Sequence, residues 1–206
     1  MKKYHIFAGG TVNDTDHIKI AAGEPVICAD SGLKYAQSLG IEPDIIVGDF
    51  DSYTGSLPEN ADIRRSVPEK DDTDTMLAVK LAIENGADQI SIYGALGGRF
   101  DHTFANVQTL GFALEQGCEA VIEDSGNVIM MQSRGIRRYK RRDGWYFSVF
   151  SYSERLCINS LSGVKYTLEN AVMTGSFPLG VSNEFVSEEA VLDIKEGTAL
   201  VVLSKM

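Results

Sequence analysis

The stretch Ile45-Ile46-Val47-Gly48-Asp49-Phe50-Asp51-Ser52, IIVGDFDS, ends an apolar run on two acids two residues apart. Residues i and i+2 of an extended chain point the same way, so Asp49 and Asp51 present their carboxylates on one side. In an open α/β sheet the carboxyl end of a parallel strand faces the crevice where ligands bind. Two charges placed there repel one another until a cation sits between them. A lone DxD is also met as two loop aspartates making turns and helix caps, so the flanking sequence has to decide.

On both sides of that stretch, strand and helix patterns alternate. Residues 4–8, 26–29, 44–47, 89–93 and 119–122 read as short apolar strands, and residues 33–39, 73–85 and 101–115 as helices. Gly40, Gly86 and Gly117 follow those helices as C-terminal stops. In the second helix Met76, Leu77, Val79, Leu81 and Ile83 form a broad apolar face. Strands separated by helices imply a mostly parallel sheet covered on both faces. The helical period then disappears. Residues 145–152, 156–159, 172–175, 184–187, 190–195 and 199–204 are short, β-branched or aromatic, and punctuated by Gly, Asn and Ser. The expected architecture is an α/β domain over 1–130 followed by a small all-β sandwich over 131–206.

Composition narrows the function. The chain has 206 residues, 44% of them hydrophobic, and a formal net charge of −10, which repels nucleic acid and anionic membrane over most of the surface. A phosphate ligand therefore needs a local cation. The basic run at 134–142, RGIRRYKRR, reads as a solvated connector or a charge-protected edge strand in so acidic a chain, against the alternative of a phosphate or nucleic-acid patch. Cys28, Cys118 and Cys157 are far apart and form no CxxC pair, as expected of reduced thiols in a cytoplasmic protein. The apolar run at the N-terminus breaks at Gly9-Gly10, too early for a signal peptide, and no later run approaches membrane-spanning length.

Three further clusters follow strands. Ala29-Asp30-Ser31-Gly32 adds one acid. Glu69-Lys70-Asp71-Asp72-Thr73-Asp74 adds four acids in six residues, more than capping requires: Asp72 or Thr73 serves as an N-cap and Asp74 suits the first turn. If the sheet brings these strand ends together, Asp30, Asp49, Asp51 and Asp74 make an all-oxygen set suited to Mg²⁺ and nucleotide phosphates. The turn from Gly94 to His102 contains Gly97 and Gly98, which allow close backbone approach, and Arg99, which can grip phosphate bidentately. It matches neither a Walker A loop nor GxGxxG. Asp101 reads as a binding residue or an N-cap, and His102 as an active-site hydrogen-bonding group or a packed imidazole.

In this order and spacing, ADSG, GDFDS, KDDTD and GGRFDH resemble the thiamine pyrophosphokinase family. The similarity continues in SLSGVKYTLEN (160–170) and GVSNEF (180–185), so it spans essentially the whole chain. The resemblance implies transfer of the terminal pyrophosphate of ATP to the hydroxyethyl oxygen of thiamine, with release of AMP, by a Mg²⁺-dependent homodimer whose active sites lie at the interface. It implies that Asp30, Asp49, Asp51 and Asp74 handle the metal. Lys70 and Asp71 line the same loop, although some members carry Gln where Lys70 stands. Gly97, Gly98, Arg99, Asp101 and His102 fall in the nucleotide-phosphate motif, Ser182 and Asn183 in a thiamine-contacting pair, and Tyr166 where other members place Trp, as a ring beside the aminopyrimidine or a core residue. A carboxylate among Asp71 and Asp74 is expected to accept the hydroxyl proton, with Arg99 steadying the phosphates. The alternatives are another Mg²⁺-dependent DxD transferase, which would bind a sugar nucleotide and ignore thiamine, and a silent thiamine-binding module, which would release no AMP.

Overall fold

A computed structural model describes residues 1–12, 14–49, 57–58, 60–65 and 72–206; Asp51, Lys70 and Asp71 lie outside the described residues. The chain divides into two compact units, Met1–Ser125 and Gly126–Met206.

In the first unit β1 (Lys3–Phe7), β2 (Val26–Ala29), β3 (Ile45–Gly48), β4 (Asp62–Arg65), β5 (Gln89–Tyr93) and β6 (Glu119–Glu123) form a sheet in the order β6-β5-β1-β2-β3-β4. Every one of these pairings is parallel. The helices are α1 (Gly32–Ser38), α2 (Asp74–Glu84) and α3 (Phe100–Glu115). Phe7, Ile27, Ile46, Ile90 and Ile92 are wholly buried, as expected of central strands covered on both faces. Phe7, Val26, Cys28, Leu33, Ala36, Ile46 and Tyr93 pack into one cluster that docks α1 on the sheet.

Two features of this unit depart from the sequence pattern. β4 gave no apolar signal because it is an edge strand with all four residues exposed, placed by its register against β3. In α2 the buried positions are Thr75, Ala78, Val79 and Ala82, whereas Met76, Leu77, Leu81 and Ile83 are only half-buried. Small residues let the helix backbone approach closely, and the larger side chains flank the contact.

The second unit is built of strands alone: β7 (Asn127–Gln132), β8 (Gly135–Lys140), β9 (Trp145–Ser151), β10 (Arg155–Ser162), β11 (Leu168–Thr174), β12 (Gly180–Glu184), β13 (Glu189–Glu196) and β14 (Ala199–Lys205). Their pairings are antiparallel, in the orders β12-β9-β14-β7 and β11-β10-β13-β8. Phe147 of β9 meets Tyr139 of β8 with ring centroids 5.2 Å apart. The Tyr139 hydroxyl donates to Gln132 Oε1 at 2.7 Å, so the buried polar atoms between the strands are paired. The basic run proves to be an edge strand, β8, with Arg138 and Lys140 exposed. The strand expected at 184–187 lies earlier, at Gly180–Glu184, because a register slip between Gly180 and Asn183 displaces the pattern.

Candidate active site

The order of the parallel sheet places the crevice. From β1 the chain runs outward through β2, β3 and β4, then returns to the opposite side of β1 as β5 and β6. Strand order therefore reverses between β1 and β5, and the loops leaving their carboxyl ends diverge and open a space between them. A cavity of about 620 Å³ lies there, with Gly9, Gly10, Asp30, Asp49, Asp74 and Arg99 in its wall. Gly97, Gly98 and His102 line it too.

The loops around it are fastened to one another. The Gly10 N–H donates to the Gly94 carbonyl at 2.7 Å, and the Ser31 hydroxyl to the Gly9 carbonyl at 3.2 Å. Asp30 directly follows β2, with its N–H donating to the Val47 carbonyl at 2.7 Å. Its φ of 49° is left-handed, a conformation that Asp tolerates better than most residues. Asp30 Oδ1 is buried without a hydrogen-bond partner among the described residues. Buried carboxylate oxygens are rarely left so, and this one shares a cavity wall with Asp49 and Asp74. The donor set is all oxygen, which fits a hard divalent cation. Among the described residues no three His, Cys, Asp or Glu side chains already converge on one ion position. A cation here would draw on oxygens from a ligand or from water as well as from the protein.

At the second acidic cluster the roles separate. Thr73 caps α2, its hydroxyl oxygen accepting from the Met76 N–H at 3.1 Å. Asp72 pairs with Lys80 Nζ at 2.6 Å, nearly two turns into the helix. Asp74 stands in the first turn, where the helix dipole favours a negative charge.

At the glycine turn Gly97 and Gly98 both take left-handed φ, 81° and 72°, and Arg99 is the N-cap residue of α3. The reading of Asp101 as an N-cap is thereby corrected. It sits inside the first turn, outside the cavity wall, with Oδ1 accepting from the His102 N–H at 2.9 Å. Its two oxygens bind Arg99, at 3.2 Å from Nε and 2.5 Å from Nη2. The guanidinium holds the Asp101 carboxyl below its usual range. The His102 side chain is exposed at the cavity wall rather than packed.

Asn106 escaped the sequence reading. It is 8% exposed, lines the cavity, and donates from Nδ2 to the Ala95 carbonyl at 2.8 Å. The signal was its place four residues after His102, which puts both on one face of α3.

In the second unit Tyr166 is 63% exposed, which removes the core reading of that residue. Asn183 is buried and hydrogen-bonded to the Tyr166 backbone. Ser182 has a left-handed φ of 57° and donates its N–H to Ser148 Oγ at 2.9 Å.

The first unit is thus an open-sheet α/β structure whose acid-lined ligand crevice lies at the reversal of strand order. The particular family is given by comparison with known proteins. Residues 20–122 match the model described as thiamin pyrophosphokinase, catalytic domain, and residues 135–199 the model described as thiamin pyrophosphokinase, vitamin B1 binding domain. The chain is similar to thiamine pyrophosphokinase of Bacillus subtilis (strain 168), with 31% identity over 99% of each chain. A crystal structure of thiamine pyrophosphokinase from Bacillus subtilis superposes with a TM-score of 0.90 at 28% identity over 99% of each chain. A thiamin pyrophosphokinase family protein from Enterococcus faecalis gives 0.87 at 27% identity over 100% of each chain. The chain belongs to the thiamine pyrophosphokinase family.

Proposed function

We propose that this chain transfers the pyrophosphoryl group of ATP to the hydroxyl of thiamine, giving thiamine diphosphate and AMP. Residues 1–130 serve as the ATP- and Mg²⁺-binding catalytic domain, and residues 131–206 as a β-sandwich that takes thiamine. The observation that carries the reading is the meeting of Asp30, Asp49, Asp74 and Arg99 in one cavity, within the segment matched by the family's catalytic model.

Asp30, Asp49 and Asp74, with Asp51, would hold Mg²⁺. When bound, the ion supplies neutralisation of the charge on the phosphoryl oxygens. The chain's own residues do the positioning. Arg99 offers a planar fork to two phosphate oxygens, and Gly97 and Gly98 let the backbone come close to them. The N-terminus of α3, where His102 stands, favours negative charge. Asp101 serves the nucleotide through its pair with Arg99, and Lys70 adds a cation to the acidic loop. The thiamine hydroxyl oxygen attacks the β-phosphorus as the bond to the AMP oxygen breaks in line with it, and a carboxylate of Asp71 or Asp74 takes the hydroxyl proton.

Thiamine lies against Tyr166 and Ser182, and Asn183 serves its site through the hydrogen bonds it makes to the Tyr166 backbone. The protein works as a homodimer. The exposed apolar side chains of Phe177, Leu179 and Val181 in the second unit offer the kind of surface that a second copy covers. Its location is cytoplasmic, in keeping with three free, buried cysteines. No described helix is long and apolar enough to cross a membrane.

The test is incubation with ATP, Mg²⁺ and thiamine, followed by separation of nucleotides and thiamine esters. Equal amounts of AMP and thiamine diphosphate, abolished by EDTA, are expected. ADP with thiamine monophosphate, or no product, would overturn the reading. Asp49→Asn is expected to lower turnover by about 10²- to 10⁴-fold with the fold retained, and near-normal turnover would remove the metal role.

A further inference from the structure

Tyr166 is an aromatic ring held out of the core on an unusually well-fixed piece of backbone. The Asn183 side chain, 6% exposed, binds both polar groups of that backbone. Asn183 Oδ1 accepts from the Tyr166 N–H at 2.9 Å, and Nδ2 donates to the Tyr166 carbonyl at 2.8 Å. Oδ1 also accepts from the Glu184 N–H at 3.0 Å. An amide offers two acceptor lone pairs and two donors, and three of those four positions are committed within the protein.

The surrounding chain is arranged to bring this about. A register slip between Gly180 and Asn183 interrupts the β12–β9 ladder, and Ser182 adopts its left-handed φ of 57° beside it. Next to Tyr166, Val164 bridges to Phe185 and the Lys165 N–H donates to the Glu184 carbonyl at 2.9 Å. Residues 164–166 are therefore pinned along 183–185. The Tyr166 ring stays outside, with Lys165 Nζ 5.6 Å from its centroid. An exposed aromatic on a fixed backbone suits a flat heteroaromatic ring such as the aminopyrimidine, which stacks on its face while the backbone beneath needs no further ordering.

We infer that Asn183 is a positioning residue, acting on thiamine through Tyr166 by fixing the backbone that presents its ring. This rests on the thiamine reading given above. Asn183 holds no face of the substrate itself; its buried amide decides where the platform stands.

A double-mutant cycle tests it. Thiamine affinity by calorimetry, and KM for thiamine and for ATP, are measured for the wild type, Tyr166→Ala, Asn183→Ala and the double variant, with thermal melts to verify folding. Each single substitution is expected to weaken thiamine about tenfold or more, with KM for ATP within about twofold of the wild type. The double variant is expected to bind thiamine no worse than Tyr166→Ala, because Asn183 has nothing left to act through. Asn183→Asp keeps acceptors for the Tyr166 and Glu184 N–H groups and loses the Nδ2 donor, so it carries the cycle if Asn183→Ala does not fold. Additive losses would overturn the inference by making Asn183 a direct contact. Unchanged thiamine affinity, or equal losses for both substrates, would overturn it too. A wild type that yields thiamine diphosphate while the cycle is additive sinks only this inference; one that neither binds thiamine nor releases AMP sinks the functional reading with it.

Discussion

Gly10→Ala tests whether the crevice depends on close contact between the loops that leave β1 and β5. The Gly10 N–H donates to the Gly94 carbonyl at 2.7 Å. A Cβ added at Gly10 would collide with that same carbonyl oxygen and lie 2.9 Å from the Leu96 carbonyl oxygen. Both obstacles are backbone atoms, so no side chain can swing aside. Restoring ordinary contact with Leu96 alone moves one loop by about 0.5 Å, and clearing Gly94 breaks the hydrogen bond. Overpacking of about 1–3 kcal/mol plus about 1 kcal/mol for the bond gives a loss of about 2–4 kcal/mol. At about 2–4 °C per kcal/mol for a chain of this size, the melting temperature falls by about 4–16 °C. The displaced loop carries Arg99, and misplacement on this scale lowers turnover by about tenfold to hundredfold. Thermal melts and the rate of AMP release read both effects. Gly86→Ala is the control: its φ is 82°, its Cβ would meet nothing within 4 Å, and it lies outside the crevice. It should lose about 1 kcal/mol and keep its turnover. A Gly10→Ala protein that melts within about 2 °C of the wild type and turns over normally would refute the contact argument.

Other outcomes follow from the same geometry. His5 is wholly buried, with Nε2 2.7 Å from Glu24 Oε2 and Nδ1 3.1 Å from the Tyr93 hydroxyl. Burial lowers its pKa from 6.5 despite the Glu24 bond, so below about pH 6.5 the unfolded chain takes up a proton that the native chain resists, and stability is lost as the pH is lowered. Denaturant unfolding at pH 7.5 and 5.5 should show that loss and a smaller one in His5→Gln, whereas identical slopes would refute it. Arg99→Lys keeps the charge but loses the fork that binds two oxygens at once, so KM for ATP should rise about tenfold, and an unchanged value would remove the phosphate role. Asn106→Asp exchanges the donor to the Ala95 carbonyl for another acceptor in an acid-lined cavity; ATP affinity should fall about tenfold or more, and unaltered binding in calorimetry would make that contact incidental.

Much of the first unit was legible because its signals are local. Apolar runs closed by Asp30, by Asp49 or by the glycine turn after Tyr93 mark parallel strands covered on both faces, and the acids and glycines at their ends mark one edge of the sheet. β4 was not legible, because an exposed edge strand buries no face and leaves no periodicity, and β12 was misplaced because a bulge breaks the two-residue alternation near Ser182. Within the clusters, sequence supplied residue types but not their partners. Only the folded chain commits Asp72 to Lys80, turns Asp101 onto Arg99 and brings Asn106 against Ala95. The sequence by itself therefore determined the class of fold, the family and the acidic chemistry, since these depend on neighbours along the chain. The tertiary structure decided that Asp30, Asp49, Asp74 and Arg99 share one cavity, and that Asn183 is occupied by Tyr166, because strand order and a bulged register bring together groups that lie far apart in sequence.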